Sequence, residues 1–140
     1  MGVFDSVGRD LVQHFINDIL VQGARPLFFM VYVCSCLLEP QVVSALIAGC
    51  AAACSDVGLA LLGGEKTEMP GLYADGDFDL VGFIVSSVAR DKVLDGSHVE
   101  AGQVLLGLGS SGLHTNGYSL ARKVLFERLG YDVHDRPEAL

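Results

Sequence analysis

Residues 26–34 read PLFFMVYVC, an apolar run in which aromatic and β-branched side chains fall on both parities. A half-exposed strand alternates apolar and polar residues, whereas a run apolar at every position marks a strand covered on both faces. Residues 26–34 are therefore expected to form the central strand of a sheet. Upstream, Val7, Leu11, Val12, Phe15, Ile16, Ile19 and Leu20 repeat at the spacing of one helical face, with Asp5 or Ser6 as N-cap and Gly23 as the stop. Downstream, Pro40 stands where a second helix begins. Val42, Val43, Leu46, Ile47, Cys50 and Cys54 give it an apolar stripe, and Gly58 ends it.

A short strand at 59–62 then runs into Gly63 and Gly64, and residues 65–78 read as a loop rich in Gly, Pro, Asp and Glu. Residues 79–89 form another strand, 90–103 a polar connection, 104–108 a fourth strand, and 118–129 a final helix capped by Gly130. The first strand–helix–strand unit implies a right-handed parallel crossover, and the short link before residue 79 permits an antiparallel neighbour. The expected class is α+β, a mixed β-sheet with helices packed on one face.

Composition narrows the function. The net charge of −8 argues against a nucleic-acid surface, which needs clustered Lys and Arg to replace phosphate counterions. It leaves room for a small phosphorylated ligand held locally by backbone N–H groups and a bridging cation. Hydrophobic residues make up 51% of the chain and mean hydropathy is +0.45, a level that suits a buried sheet or a subunit interface. No apolar run reaches the roughly 18 residues of a membrane span. Asp5, Arg9 and Asp10 break any signal-peptide pattern, so a cytoplasmic protein is expected. The thiols Cys34, Cys36, Cys50 and Cys54 lack zinc-type pairing and read as buried and reduced.

Three places carry potential chemistry. Asp18 falls at the margin of the first helix's apolar face, where a carboxylate requires a cation, a metal or donated hydrogen bonds, and Asn17 and Gln22 lie near the same end. A solvated position is the equal alternative. In GGEKTEMPG, residues 63–71, Gly63 and Gly64 let the backbone turn and approach a ligand, while Glu65 and Glu68 supply hard oxygen atoms suited to Mg²⁺ on a polyphosphate. An acidic surface loop is the competing reading. In GSSGLHTNGYS, residues 109–119, a small-residue loop feeds a helix N-terminus, a setting that suits an anion; Asn116 is a candidate N-cap and His114 a candidate donor.

As ordered text these segments are more specific. DSVGRDLVQHFINDILVQGARPLFF (5–29), GLALLGGEKTEMPGLY (58–73) and FDLVGFIVSSVARDKVLDGSHVEAGQVLLGLGSSGLHTNGYSLARKVL (78–125) resemble consecutive stretches of aminoimidazole ribonucleotide synthetase. The resemblance implies residues 1–100 as part of an N-terminal ATP-binding and dimerisation domain. Residues 101–140 would be the first strand and helix of a second domain. It implies an ATP-dependent ligase of purine synthesis that closes formylglycinamidine ribonucleotide to aminoimidazole ribonucleotide with release of ADP and phosphate. It also implies homodimers formed through the sheet. By position, Asp18 and Glu65 would hold Mg²⁺ and the ATP phosphates, with Asn17, Glu68, Gly63 and Gly64 in support, and His114 and Asn116 would contact the substrate. A non-catalytic nucleotide-binding or dimerisation module is the alternative. The family's upstream glycine-rich segment is absent from this chain, and Phe4, Val31, Lys66 and Thr67 depart from its usual pattern.

Overall fold

The structure, a computed structural model, describes residues 2–110 and 112–136. Residues 26–34 lie within β1 (Arg25–Ser35), the middle strand of a three-stranded sheet. β2 (Ala60–Glu68) pairs parallel on one side and β3 (Phe78–Ser87) antiparallel on the other, giving the expected mixed sheet. The helices α1 (Asp5–Leu20) and α2 (Pro40–Asp56) pack on one face. Pro40 occupies the first helical turn, and Gly23 and Gly58, at φ +69° and +66°, end the two helices as expected.

The core lies between helices and sheet. Phe29 and Val31 of β1 meet Val12 of α1 and Cys50, Ala53 and Cys54 of α2, with Leu59 at the entry to β2. Burying a Phe, Leu or Val completely contributes about 1.5–3 kcal/mol. Phe29, Leu46 and Val12 are all fully buried, so they hold the helix layer on the sheet. Phe15 meets Phe29 edge to face at 5.7 Å, above Gly82 of β3; a Cβ at Gly82 would come within 2.6 Å of the Phe29 ring. The four cysteines are buried and free, as their spacing implied.

The opposite face of the sheet is open. Met30, Val81 and Phe83 are exposed there, Phe83 at 59%, with Tyr32 half-buried between them. The double-sided apolarity of β1 thus covers one face with helices and presents the other. No helix among the described residues is long and apolar enough to cross a membrane.

Four local expectations need correction. First, neither Asp5 nor Ser6 caps α1. Phe4 holds the N-cap position, its ring packed edge-on against Phe78 at 5.9 Å, and Asp5 joins the first turn, where the helix dipole favours a carboxylate. Second, β2 does not stop at residue 62. β1 offers pairing partners as far as Ser35, and the strand follows them to Glu68. Gly63 and Gly64, at φ +140° and +155°, carry the backbone through a register shift that leaves Leu62 surplus opposite the step from Phe29 to Met30. Gly64 has to be glycine, since a Cβ would collide with the Val31 carbonyl oxygen.

Third, residues 104–108 form no strand; Val104, Leu105, Leu106 and Leu108 are 83–99% exposed. A strand exists only as part of a ladder, and the described residues offer this segment no partner. Fourth, the final helix is split into α3 (Tyr118–Arg122) and a π-helical turn, Lys123–Arg128, before Gly130 at φ +69°. Gly117, at φ +84°, takes the N-cap position expected of Asn116. The chain divides into two compact units, Val3–Val104 and a smaller one made chiefly of the residues from Leu105 onward.

Candidate functional site

The sheet pairing sets the chemistry of the GGEKTE stretch. Glu65 lies opposite Tyr32, on the open face, and Lys66 opposite Val33, on the helix face. Glu65 Oε1 accepts the Lys66 backbone N–H at 2.8 Å. Glu68 closes β2, and its Oε1 accepts the Leu38 N–H at 2.8 Å, tying the strand to the segment that enters α2. Ser35 donates its hydroxyl to the Leu37 carbonyl at 2.8 Å and accepts the Met69 N–H on its own carbonyl at 2.8 Å. The carboxyl ends of the two parallel strands are thus laced together, and open sheets bind ligands at those ends. The expected acidic loop is in fact strand as far as Glu68. A hollow of about 220 Å³ runs beside it, bounded by Val43 and Ile47 of α2 and by Gly63, Gly64, Glu65 and Lys66 of β2. Lys66 is its one cationic lining residue, and no salt bridge among the described residues engages it.

Asp18 and Asn17 are exposed on α1. Asp18 Oδ2 stands 3.7 Å from His14 Nε2, one turn back, with its side chain 66% exposed. The solvated alternative describes its surroundings within one chain. Phe15, one turn before Asp18, packs at the level of Phe29, whereas Glu65 lies level with Tyr32 and on the other side of the sheet. One chain therefore holds Asp18 and Glu65 in different layers. Among the described residues no group of three or more His, Cys, Asp or Glu side chains is arranged to hold a metal ion.

In the smaller unit, His114 Nε2 lies 3.1 Å from Ser110 Oγ, and the Ser110 hydroxyl donates to the Gly112 carbonyl at 2.6 Å. With that proton committed, the imidazole N–H is the donor to Ser110, which fixes the tautomer. Asn116 is exposed two residues further on.

Sequence reading missed how residues 69–77 are fastened. Tyr73 donates its hydroxyl to Asp79 Oδ2 at 2.7 Å, and Cys36 donates its thiol to Asp75 Oδ1 at 3.3 Å. Both bonds stabilise the neutral donor, so the Asp79 bond raises the Tyr73 pKa and the Asp75 bond raises that of Cys36. Cys36 and Asp75 are 39 residues apart, and nothing in either's local sequence announces the other.

A family profile described as "AIR synthase related protein, N-terminal domain" matches residues 3–88. Over 131 residues the chain is 53% identical to a phosphoribosylformylglycinamidine cyclo-ligase of Geobacter metallireducens, covering 94% of this chain and 38% of that protein. It is 51% identical over 130 residues to the cyclo-ligase of Trichlorobacter lovleyi, covering 93% and 37%. The chain thus spans less than half the length of these curated relatives. Among solved structures, the hydrogenase maturation protein HypE superposes with a TM-score of 0.54 at 19% identity, over 62% of this chain and 27% of that one. Thiamine monophosphate kinase from Aquifex aeolicus gives 0.52 at 15%, over 65% and 29%. At such identities these two likenesses speak to the fold alone.

Proposed function

The chain belongs to the family of AIR synthase related proteins through their N-terminal domain, and from that premise we propose that it is the nucleotide-binding part of an ATP-dependent cyclo-ligase of purine synthesis. The proposed reaction transfers the ATP γ-phosphoryl group to the formyl amide oxygen of formylglycinamidine ribonucleotide. That makes the oxygen a good leaving group, and the amidine nitrogen then closes the imidazole. The protein's share is positioning and charge neutralisation. One observation carries the reading: identity of 51–53% over almost the whole chain.

Gly63 and Gly64 offer bare backbone to the phosphates, and Glu65 with Asp18 would hold Mg²⁺, supported by Asn17 and Glu68. Mg²⁺ needs only one or two carboxylates when phosphate oxygens and water complete its shell, so a small acidic set suffices. His114 and Asn116 would contact the substrate or the transferred phosphate. Asp18 and Glu65 occupy different layers of one chain, so a shared ion calls for a second copy. Two sheets stacked on their open faces about a two-fold axis across the strands would run in opposite directions. The rim near Asp18 of one copy would then approach the rim near Glu65 of the other. The exposed Met30, Val81 and Phe83 support that homodimer, and a cytoplasmic location completes the reading.

Titration calorimetry with Mg·ATP tests the proposal. Glu65→Ala is expected to weaken binding at least about tenfold, the loss of one charge-assisted contact; unchanged affinity would remove Glu65 from the site. The same open apolar face favours a second reading, a dimerisation module without turnover, which ligase activity by this chain alone would exclude.

A further inference from the structure

We infer that the helix face of β2 carries a binding site for a carboxylate with an aliphatic tail, headed by Lys66 and independent of the nucleotide reading above. The register sets Leu61 opposite Phe29, Gly64 opposite Val31 and Lys66 opposite Val33, on the side that α2 covers. Gly64 brings no side chain to that row. The hollow of about 220 Å³ opens there, floored by Val31 and Val33 and roofed by Val43 and Ile47 of α2. A second hollow of about 430 Å³ shares Val43, Ile47 and Lys66 with the first and continues past Ser44 to Leu38 and Pro40. Lys66 thus stands where the two adjoin.

The lining chemistry selects the ligand. Apart from Ser44, Glu65 and Lys66, every residue around the two hollows is apolar or glycine. Glu65 belongs to the open face of the sheet, and its Oε1 accepts the Lys66 backbone N–H. Glu68, the next residue of β2 on the helix face, lines neither hollow and accepts the Leu38 N–H at 2.8 Å. Among the described residues no hydrogen bond or ion pair takes up the Lys66 ammonium. An unpaired cation beside an apolar cavity, in a chain of net charge −8, suits one negative charge attached to hydrocarbon. A polyphosphate would satisfy Lys66 and leave the apolar walls wet; a neutral hydrocarbon would do the opposite. An apolar cavity of about 150 Å³ holds a benzene ring. The inner hollow, at about 220 Å³, therefore has room for a tail of about six to eight carbons. Glu65, the proposed Mg²⁺ ligand, lies across the thickness of the sheet, so either site can fail without the other.

The test is calorimetry and amide NMR on the full 140-residue chain with three probes: octanoate, 1-octanol and butanoate. Octanoate is expected to bind, and 1-octanol, which lacks the charge, to bind at least about tenfold more weakly. Butanoate should lose up to about fourfold in affinity for each methylene removed. Lys66→Met, at an exposed position, should weaken octanoate by about tenfold and leave 1-octanol unchanged. Lys66→Arg, which keeps the charge, should bind octanoate like the parent. The amide shifts caused by octanoate should cluster at Val43, Ile47, Leu61 and Lys66. Equal affinity for octanoate and 1-octanol would overturn the inference, as would a Lys66→Met variant that binds octanoate like the parent. Shifts confined to Val81 and Phe83 would move the ligand to the open face and sink the site. So would the absence of octanoate binding up to about 10 mM.

Discussion

Gly8 of α1 and Gly49 of α2 let the two helices touch backbone to backbone. A Cβ on Gly8 would strike the Leu46 carbonyl, and one on Gly49 the Asp5 carbonyl. The Cys50 thiol donates to the Gly8 carbonyl at 3.4 Å across the same contact. Gly49→Ala forces the helices apart over a fully buried layer. The expected loss is about 3 kcal/mol, at the upper end for overpacked cores, which corresponds to a fall of roughly 10 °C in melting temperature. Thermal unfolding followed by circular dichroism measures it, and a variant melting like the parent would contradict the packing.

The open sheet face is expected to bury a second copy. Phe83→Lys places a charge where that copy would sit, next to Met30 across the ladder. The parent should elute as a dimer and the variant as a monomer of unchanged circular dichroism, as read by size-exclusion chromatography with light scattering.

If the proposed metal-binding pair Asp18 and Glu65 comes from two copies, the damage in Asp18→Asn and Glu65→Gln can be shared out. Each variant alone should bind Mg·ATP poorly. Mixed one to one and allowed to exchange, half the dimers are hybrids, and each hybrid regenerates one intact site. Roughly one quarter of the sites should return. No recovery in the calorimeter would mean that each site draws Asp18 and Glu65 from a single chain.

Alkali should unfold the chain earlier than its surface suggests. Burial, and then the neighbouring Cys54, push the Cys50 thiol from 9.0 up to about 11, and burial also raises Cys54. The unfolded chain gives up these protons from about pH 9 while the native state keeps them. The stability they contribute is present below pH 9 and is lost as pH rises towards 11. Urea midpoints measured from pH 8 to 11 should fall. Cys50→Ala, though weaker at pH 8, should show a shallower decline.

Two side-chain hydrogen bonds, Tyr73 to Asp79 and Cys36 to Asp75, fasten residues 69–77 in addition to the backbone bonds of that stretch. Removing both, with Tyr73→Phe and Cys36→Ala, should speed proteolytic cleavage within that stretch several-fold under native conditions and leave the helices intact. Mass spectrometry of the fragments locates the cut.

Much of this architecture was legible because its signals are local. The apolar run at 26–34, the stripes of the two helices and the stops at Gly23 and Gly58 each depend on a few neighbouring residues, and the structure keeps them except at the ends of the first stripe, where Val7 and Leu20 are exposed. The second half of β2 was not legible. Gly, Glu and Lys disfavour strands and Thr67 alone among residues 63–68 favours one, so the stretch is extended because β1 lies alongside. The same limit governs the site. The pair Glu65 and Glu68 stands out as spacing, but the bond from Leu38 to Glu68 joins residues 30 apart and is visible only after folding. Residues 104–108 show the opposite failure: strong local preference without a partner within the described chain.

The surplus Leu62 has an effect out of proportion to its size. Side chains along a strand alternate between the two faces, so counting on from Leu61, which pairs with Phe29 over the helices, would send Glu65 inward and Lys66 outward. One inserted residue reverses that parity: the anion is handed to whatever covers the sheet, and the cation to the hollow under α2. Pairing Leu62 with Met30 in regular register would exchange the two signs of charge without altering a single ionisable group, whereas deleting it would straighten the strand and leave both charges where they are.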